Sequence, residues 1–96
     1  MLEKELEDKL VQKVKALGGR AYKFISPGNA GVPDRLIALP GGKVGFAEMK
    51  RDKKHRPTLL QLKQITFLMK LDCFVRVIDS KEAIEEFLIE LQNQRR

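Results

Sequence analysis

The sequence predicts a single α/β domain spanning residues 1–96, with the element order αβββαβα and a mixed sheet flanked by helices. Three observations carry that expectation. Leu2, Leu6, Leu10, Val14 and Leu17 recur at the period of a helix and stop at Gly18-Gly19. Two strand-like runs meet at Pro40-Gly41-Gly42, the composition of a tight hairpin turn. Beyond residue 57 the chain returns to a helical period, passes through an apolar strand and ends on a third helix.

Taken in order, residues 2–17 form an amphipathic helix, and residues 20–26 (RAYKFIS) alternate as a strand should. Residues 27–33 hold two prolines and two glycines and read as a loop. Asp34–Leu39 and Lys43–Lys50 form an antiparallel hairpin about Pro40-Gly41-Gly42. Thr58 caps a helix running to about Leu71, with Leu62, Ile65, Leu68 and Met69 expected on its buried side. Residues 73–78 (CFVRVI) make a strongly apolar strand, expected at the centre of the sheet. Ser80 caps the last helix, whose Ile84, Phe87, Leu88 and Leu91 face the core, and residues 92–96 fray.

Composition narrows the function. Apolar residues make up 43% of the 96 and charged residues 33%, the balance of a globular domain. No apolar run approaches the ~20 residues needed to cross a bilayer, and residues 1–5 have no signal-peptide pattern. Cys73 stands alone among apolar neighbours, which predicts a buried, reduced thiol and a cytoplasmic protein. The net charge is +6, and the excess is concentrated. Lys50, Arg51, Lys53, Lys54 and Arg56 against Asp52 give one short run a balance of +4. Such a run is a solvated loop or, beside an acidic site, a contact for nucleic-acid phosphates.

The acidic site is Pro33-Asp34 and, one hairpin later, Glu48-Met49-Lys50. Side chains at i and i+2 of a strand leave the same face, so Glu48 and Lys50 point together, roughly 6.6 Å apart along the strand. The turn folds Asp34 back toward them. Two carboxylates about 4 Å apart repel by ~4 kcal/mol at an effective dielectric near 20. A divalent cation removes that penalty, and hard carboxylate oxygens suit Mg²⁺ or Mn²⁺. Metal, acids and lysine together are the parts of a phosphodiester hydrolase: the metal polarises phosphate and acidifies water, and Lys50 orients that water or stabilises developing charge. The competing assignment is a turn-capping Asp34 with Glu48 and Lys50 as a solvated pair.

Residues 26–28 (Ser-Pro-Gly), Gly31-Val32-Pro33-Asp34-Arg35, Phe46-Ala47-Glu48-Met49-Lys50 and Gln61 together resemble the VRR-NUC (virus-type replication-repair nuclease) domain of the PD-(D/E)XK superfamily. The resemblance covers nearly the whole chain and implies a restriction-endonuclease-like core. It implies Asp34, Glu48 and the Met49 carbonyl as metal ligands, Lys50 as the catalytic lysine, and Gln61 as a residue holding Lys50 or a phosphate. It also implies an acid from the first helix. Glu3 and Glu7 lie one turn apart and either could reach the site. Glu7 matches the spacing of the related archaeal Holliday-junction resolvases and Glu3 the usual VRR-NUC register, and the balance favours Glu7.

His55 is the only histidine, which argues against histidine-metal chemistry. Cys73 has no neighbouring base and is a poor nucleophile. Tyr22 is expected in the core or at its rim. Ser26 and Arg35 adjoin the site, where Arg35 clamps a phosphate or pairs with an acid. The resulting expectation is a Mg²⁺-dependent endonuclease on branched DNA such as Holliday junctions, serving DNA repair in a viral or mobile-element setting, host-cell cytoplasm included. Paired cuts and a small core both suggest a homodimer. The rivals are a monomeric flap or single-strand-end nuclease and a non-catalytic DNA-binding module of the same fold.

Overall fold

The computed structural model describes residues 1–95. In chain order its elements are α1 (Glu3–Ala16), β1 (Arg20–Lys23), β2 (Arg35–Leu39), β3 (Lys43–Met49), α2 (Leu59–Lys70), β4 (Phe74–Ile78) and α3 (Lys81–Gln92). The α/β class and the αβββαβα order are those expected from the sequence. The strands form one mixed sheet in the order β1-β2-β3-β4, antiparallel across the first two pairs and parallel between β3 and β4. α2 is the crossover that the parallel pair requires.

Alternation along the strands splits the sheet into two unlike faces. On one, Ile37, Leu39, Ala47, Met49, Phe74 and Ile78 meet Leu6, Leu10 and Val14 of α1 and Ile84, Phe87, Leu88 and Leu91 of α3. This is the hydrophobic core. Gly45 lies in it because a Cβ there would come within 2.8 Å of the Phe74 ring. The other face carries Leu36, Ala38, Val44, Phe46, Glu48, Val75 and Val77, and α2 packs over its β4 side.

Ends of the elements follow local chemistry. Glu5 accepts from the Leu2 N–H at the start of α1, and Thr58 and Ser80 accept from Gln61 N–H and Ala83 N–H at the starts of α2 and α3. The hairpin loop closes through Gly41 and Gly42, both at positive φ, where a side chain would be strained. α3 ends at Gln92 with Asn93 as its C-cap, and Arg96, the last residue of the expected frayed tail, lies outside the described residues.

Four expectations are corrected. β1 stops at Lys23, three residues early: the Phe24 N–H still donates to the Asp34 carbonyl, and the Pro27 loop then leads the chain away. β4 is an edge strand, not a central one. Its apolar run reflects cover on both faces, α3 on one side and α2 on the other. Cys73 is half-buried, because it precedes β4 at the rim. On α2 only Ile65 is buried and Leu68 half-buried, while Leu62 and Met69 stay exposed together with Leu59, Phe67 and Leu71. The helix presents one narrow seam to β4, so most of its apolar surface has no neighbour.

This division sets measurable costs. Leu10→Ala empties a fully buried site between α1 and the sheet and should destabilise the fold by about 3 kcal/mol. Leu59→Ala, at a position 86% exposed, should stay within about 0.5 kcal/mol. Urea unfolding followed by circular dichroism separates the two.

Candidate active site

The hairpin register builds the site. Arg35 pairs with Ala47, so Asp34, one residue earlier, falls opposite Glu48, one residue later. Asp34 Oδ2 accepts from the Met49 N–H at 2.8 Å, which ties the start of β2 to the end of β3. Glu48 and Lys50 project from one face, and Glu48 Oε2 lies 3.4 Å from Lys50 Nζ. The three side chains named from the sequence therefore gather at one end of the sheet.

Glu48 is the unusual member. It is the one buried charged residue among those described, only 1% exposed, and its Oε1 has no hydrogen-bond partner. Burial, followed by the nearby Asp34 charge, pushes its carboxyl up to about 7, and Lys50 offsets this only partly. Asp34 is also raised, chiefly by burial, against the lowering effects of the Met49 N–H, Lys50 and Arg35. Buried oxygens of this kind normally find a donor. This one finds none in the protein.

The remaining candidates are distributed unevenly. Glu7 binds Arg35, Oε1 to Nε at 2.6 Å, with both side chains mostly buried, and its charge helps to raise the Asp34 carboxyl. Arg35 also donates to the Ala21 carbonyl at 3.3 Å, so it joins α1, β1 and β2 rather than standing open to a phosphate. Glu3 is exposed, and its charge reaches Glu48. Gln61 is held in the cap of α2: its Oε1 accepts from the Thr58 N–H at 2.9 Å, so the structure does not bring it to Lys50. Ser26 accepts from Asn29 Nδ2 in the β1–β2 loop.

Residues 51–55 form a largely exposed turn organised by Asp52. Its Oδ1 accepts from the N–H groups of Lys54 and His55 and lies 2.8 Å from His55 Nδ1. The His55 contact foremost holds the Asp52 carboxyl below its usual range. Arg51 and Lys53 lie 3.8 Å from Asp52 and Asp79, while Lys54 and Arg56 make no ion pair among the described residues. Sequence reasoning allowed Arg35 an acid partner without identifying it as Glu7, and it missed the ordering role of Asp52. The second had a local signal, an acid two and three residues before free N–H groups.

The donor set fits a hard divalent cation. Glu48 Oε1 lacks a partner, a second carboxylate lies beside it, and the Met49 main chain is at hand. Among the described residues no three His, Cys, Asp or Glu side chains form a cluster. Two carboxylates completed by water are the habit of Mg²⁺, which dehydrates reluctantly.

Two outcomes follow for the metal-free protein. The native state holds the Glu48 proton more tightly than the unfolded chain, so its contribution is complete below about pH 4.5 and is lost as pH rises through about 7. At about 1.4 kcal/mol per tenfold change in proton affinity, the loss approaches about 3 kcal/mol. Thermal melts in chelator should fall across that window, and Glu48→Gln should flatten them. Arg35→Leu leaves Glu7 mostly buried and unpaired, and should cost about 2 kcal/mol in urea unfolding.

Comparison with known proteins follows the same lines. No family model matches the chain. A relative named "Putative nuclease p44", from Acyrthosiphon pisum secondary endosymbiont phage 1, is 48% identical over 80 residues, covering 83% of this chain and 85% of that protein. A solved structure described as a VRR_NUC domain superposes with a TM-score of 0.85 at 32% identity, covering 92% of this chain and 94% of the other. Similarity that runs through sequence and fold over most of both partners makes this chain a member of the VRR-NUC family.

Proposed function

We propose that the chain is a Mg²⁺- or Mn²⁺-dependent endonuclease of the PD-(D/E)XK type, acting as a pair of copies on branched DNA such as Holliday junctions. The observation that supports it most is Glu48 Oε1, buried without a partner beside a second carboxylate. A stability-driven core avoids such an atom, since an unsatisfied buried acceptor costs about 1–3 kcal/mol. A cation converts that cost into a site.

Asp34, Glu48 and the Met49 carbonyl would hold the metal. Of the two acids on α1, Glu3 is unpaired among the described residues, and Glu7 would join only by leaving Arg35. Bound there, the cation supplies Lewis acidity toward a phosphate oxygen and lowers the pKa of water. Lys50, mostly buried and 3.4 Å from Glu48, is placed to orient the attacking water or to neutralise charge that builds on the phosphate. Arg51, Lys53, Lys54 and Arg56 offer cations to flanking phosphates, a sequence-independent contact suited to reading shape rather than bases. The relative's printed description as a nuclease accords with this reading.

No helix among the described residues is long and apolar enough to cross a membrane. The reading places the enzyme in the cytoplasm with its DNA.

The experiment incubates four-way junctions, flaps and linear duplexes with the protein, with and without Mg²⁺. Metal-dependent cutting that favours the junction is expected, and Asp34→Asn and Lys50→Ala should each lower it at least ~100-fold. Cutting that ignores chelator, or survives both substitutions, overturns the site. Preference for flaps favours the monomeric rival. Mg²⁺ at 100 times its Kd should also raise stability by about 2.7 kcal/mol, an effect that Asp34→Asn abolishes.

A further inference from the structure

The loop between β1 and β2 delivers Asp34 to the site, and it leans on the start of α2. Gly31 stands at φ +90°, so close to the Leu60 main chain that an added Cβ would meet its carbonyl oxygen at 2.8 Å and its carbonyl carbon at 2.9 Å. Ordinary contact begins near 3.4 Å, so a side chain here would push loop and helix apart by about 0.6 Å. One turn along the same helix, Gln64 Nε2 donates to the Ala30 carbonyl at 3.4 Å. Gly28, three residues earlier in the loop, has nearly the same φ, +84°, but faces open space.

Between Gly31 and Asp34 the chain has little freedom. Pro33 is fully buried, its ring holds φ at about −65°, and it confines Val32 to extended backbone. Beyond it, the Asp34 carbonyl accepts from the Phe24 N–H at 2.9 Å and the carboxylate from the Met49 N–H at 2.8 Å. A displacement at Gly31 is therefore passed on rather than absorbed. At Asp34, about 0.6 Å would stretch the carboxylate's bond beyond the roughly 2.7–3.2 Å of a sound N–H···O contact.

We propose that Gly31 is a positioning residue for the metal site: its missing side chain lets the loop seat on the Leu60 main chain, and that seat fixes where the Asp34 carboxylate stands. The start of α2 is the stop against which this ligand is placed. The requirement is one of space, because Gly28 shares the left-handed backbone without the contact. Gln61 finds its part here as well. Its Oε1 takes the Thr58 N–H while its own N–H binds Thr58 Oγ1, a reciprocal cap that stiffens the turn carrying Leu60. Gln61 thus acts on the site through the helix rather than by touching Lys50. The proposal deepens the metal-site reading above and rests on it.

Two readouts on the full-length protein test it, with Gly31→Ala set against Gly28→Ala so that backbone strain is common to both. Amide exchange of Met49, followed by NMR without metal and scaled to the core amides of α1, should quicken about tenfold in Gly31→Ala and stay within about twofold of wild type in Gly28→Ala. Mg²⁺ affinity by calorimetry should fall about tenfold in the first and hold in the second, the loss expected of a misplacement this size. If Gly31→Ala fails to fold, Gln61→Ala takes its place. It should move both readouts the same way, and Gln61→Glu, which can still close the cap, should restore them. The proposal is overturned if folded Gly31→Ala matches Gly28→Ala in Met49 exchange, or in Mg²⁺ affinity where the wild type binds the ion. In the substitute pair, an unmoved Gln61→Ala or a failed rescue by Gln61→Glu overturns it too. A wild type that binds no Mg²⁺ while Met49 responds as described sinks the metal reading and leaves the seat standing. Metal-dependent cutting by a Gly31→Ala protein whose Met49 exchange is unchanged does the reverse.

Discussion

The register of the β2–β3 hairpin is the constraint on which the rest of the molecule depends. Leu39 pairs with Lys43 across a three-residue loop, and from that point every pairing is fixed back to Arg35 and Ala47. A slip of one residue would turn Glu48 from the α2 side of the sheet to the core side and put Ala47 and Met49 in its place. Two devices hold the register. The loop glycines adopt positive φ at one end, and the Asp34 carboxylate takes the Met49 N–H at the other. The second is also part of the site, so the group that fixes the geometry is one of the groups that would use it.

Charge is handled differently on the two faces of the sheet. On the core side Glu7 and Arg35 neutralise each other at 2.6 Å and bridge α1 to the strands, a closed arrangement with little left to offer a ligand. On the α2 side Glu48 and Asp34 crowd together with Lys50 as partial compensation, and one oxygen remains unanswered. Burial raises both carboxyls, the signature of groups held in place by surrounding structure rather than by their own favourable energy. The basic turn beyond β3 carries the opposite charge within a few residues of this site. An anionic polymer would therefore meet cations first and the acids only at close approach.

The legible parts of the sequence were those governed by local rules. α1 and α3 followed their leucine and isoleucine spacing, and the caps at Thr58 and Ser80 followed from hydroxyls placed before helical runs. The meeting of Asp34, Glu48 and Lys50 followed from strand alternation and one turn. The less legible parts involved partners far apart in sequence. Arg35 and Glu7 are 28 residues apart, and no periodicity announces their contact. The apolar residues of α2 predict a buried face but cannot say how wide a neighbour will be available to it.

By itself, then, the sequence determined the element order, the amphipathic faces of α1 and α3, and the acids and lysine that share a sheet end, because each depends on spacings of a few residues. Tertiary structure alone decided that β4 lies at the edge, that Glu48 is sealed from water, that Gln61 serves a helix cap and that Glu7 is spent on Arg35. It also decided that α2 keeps most of its apolar surface in solvent. Each of these depends on which distant element arrives to cover a residue, and pattern along the chain records a side chain's tendency to be covered without recording what covers it.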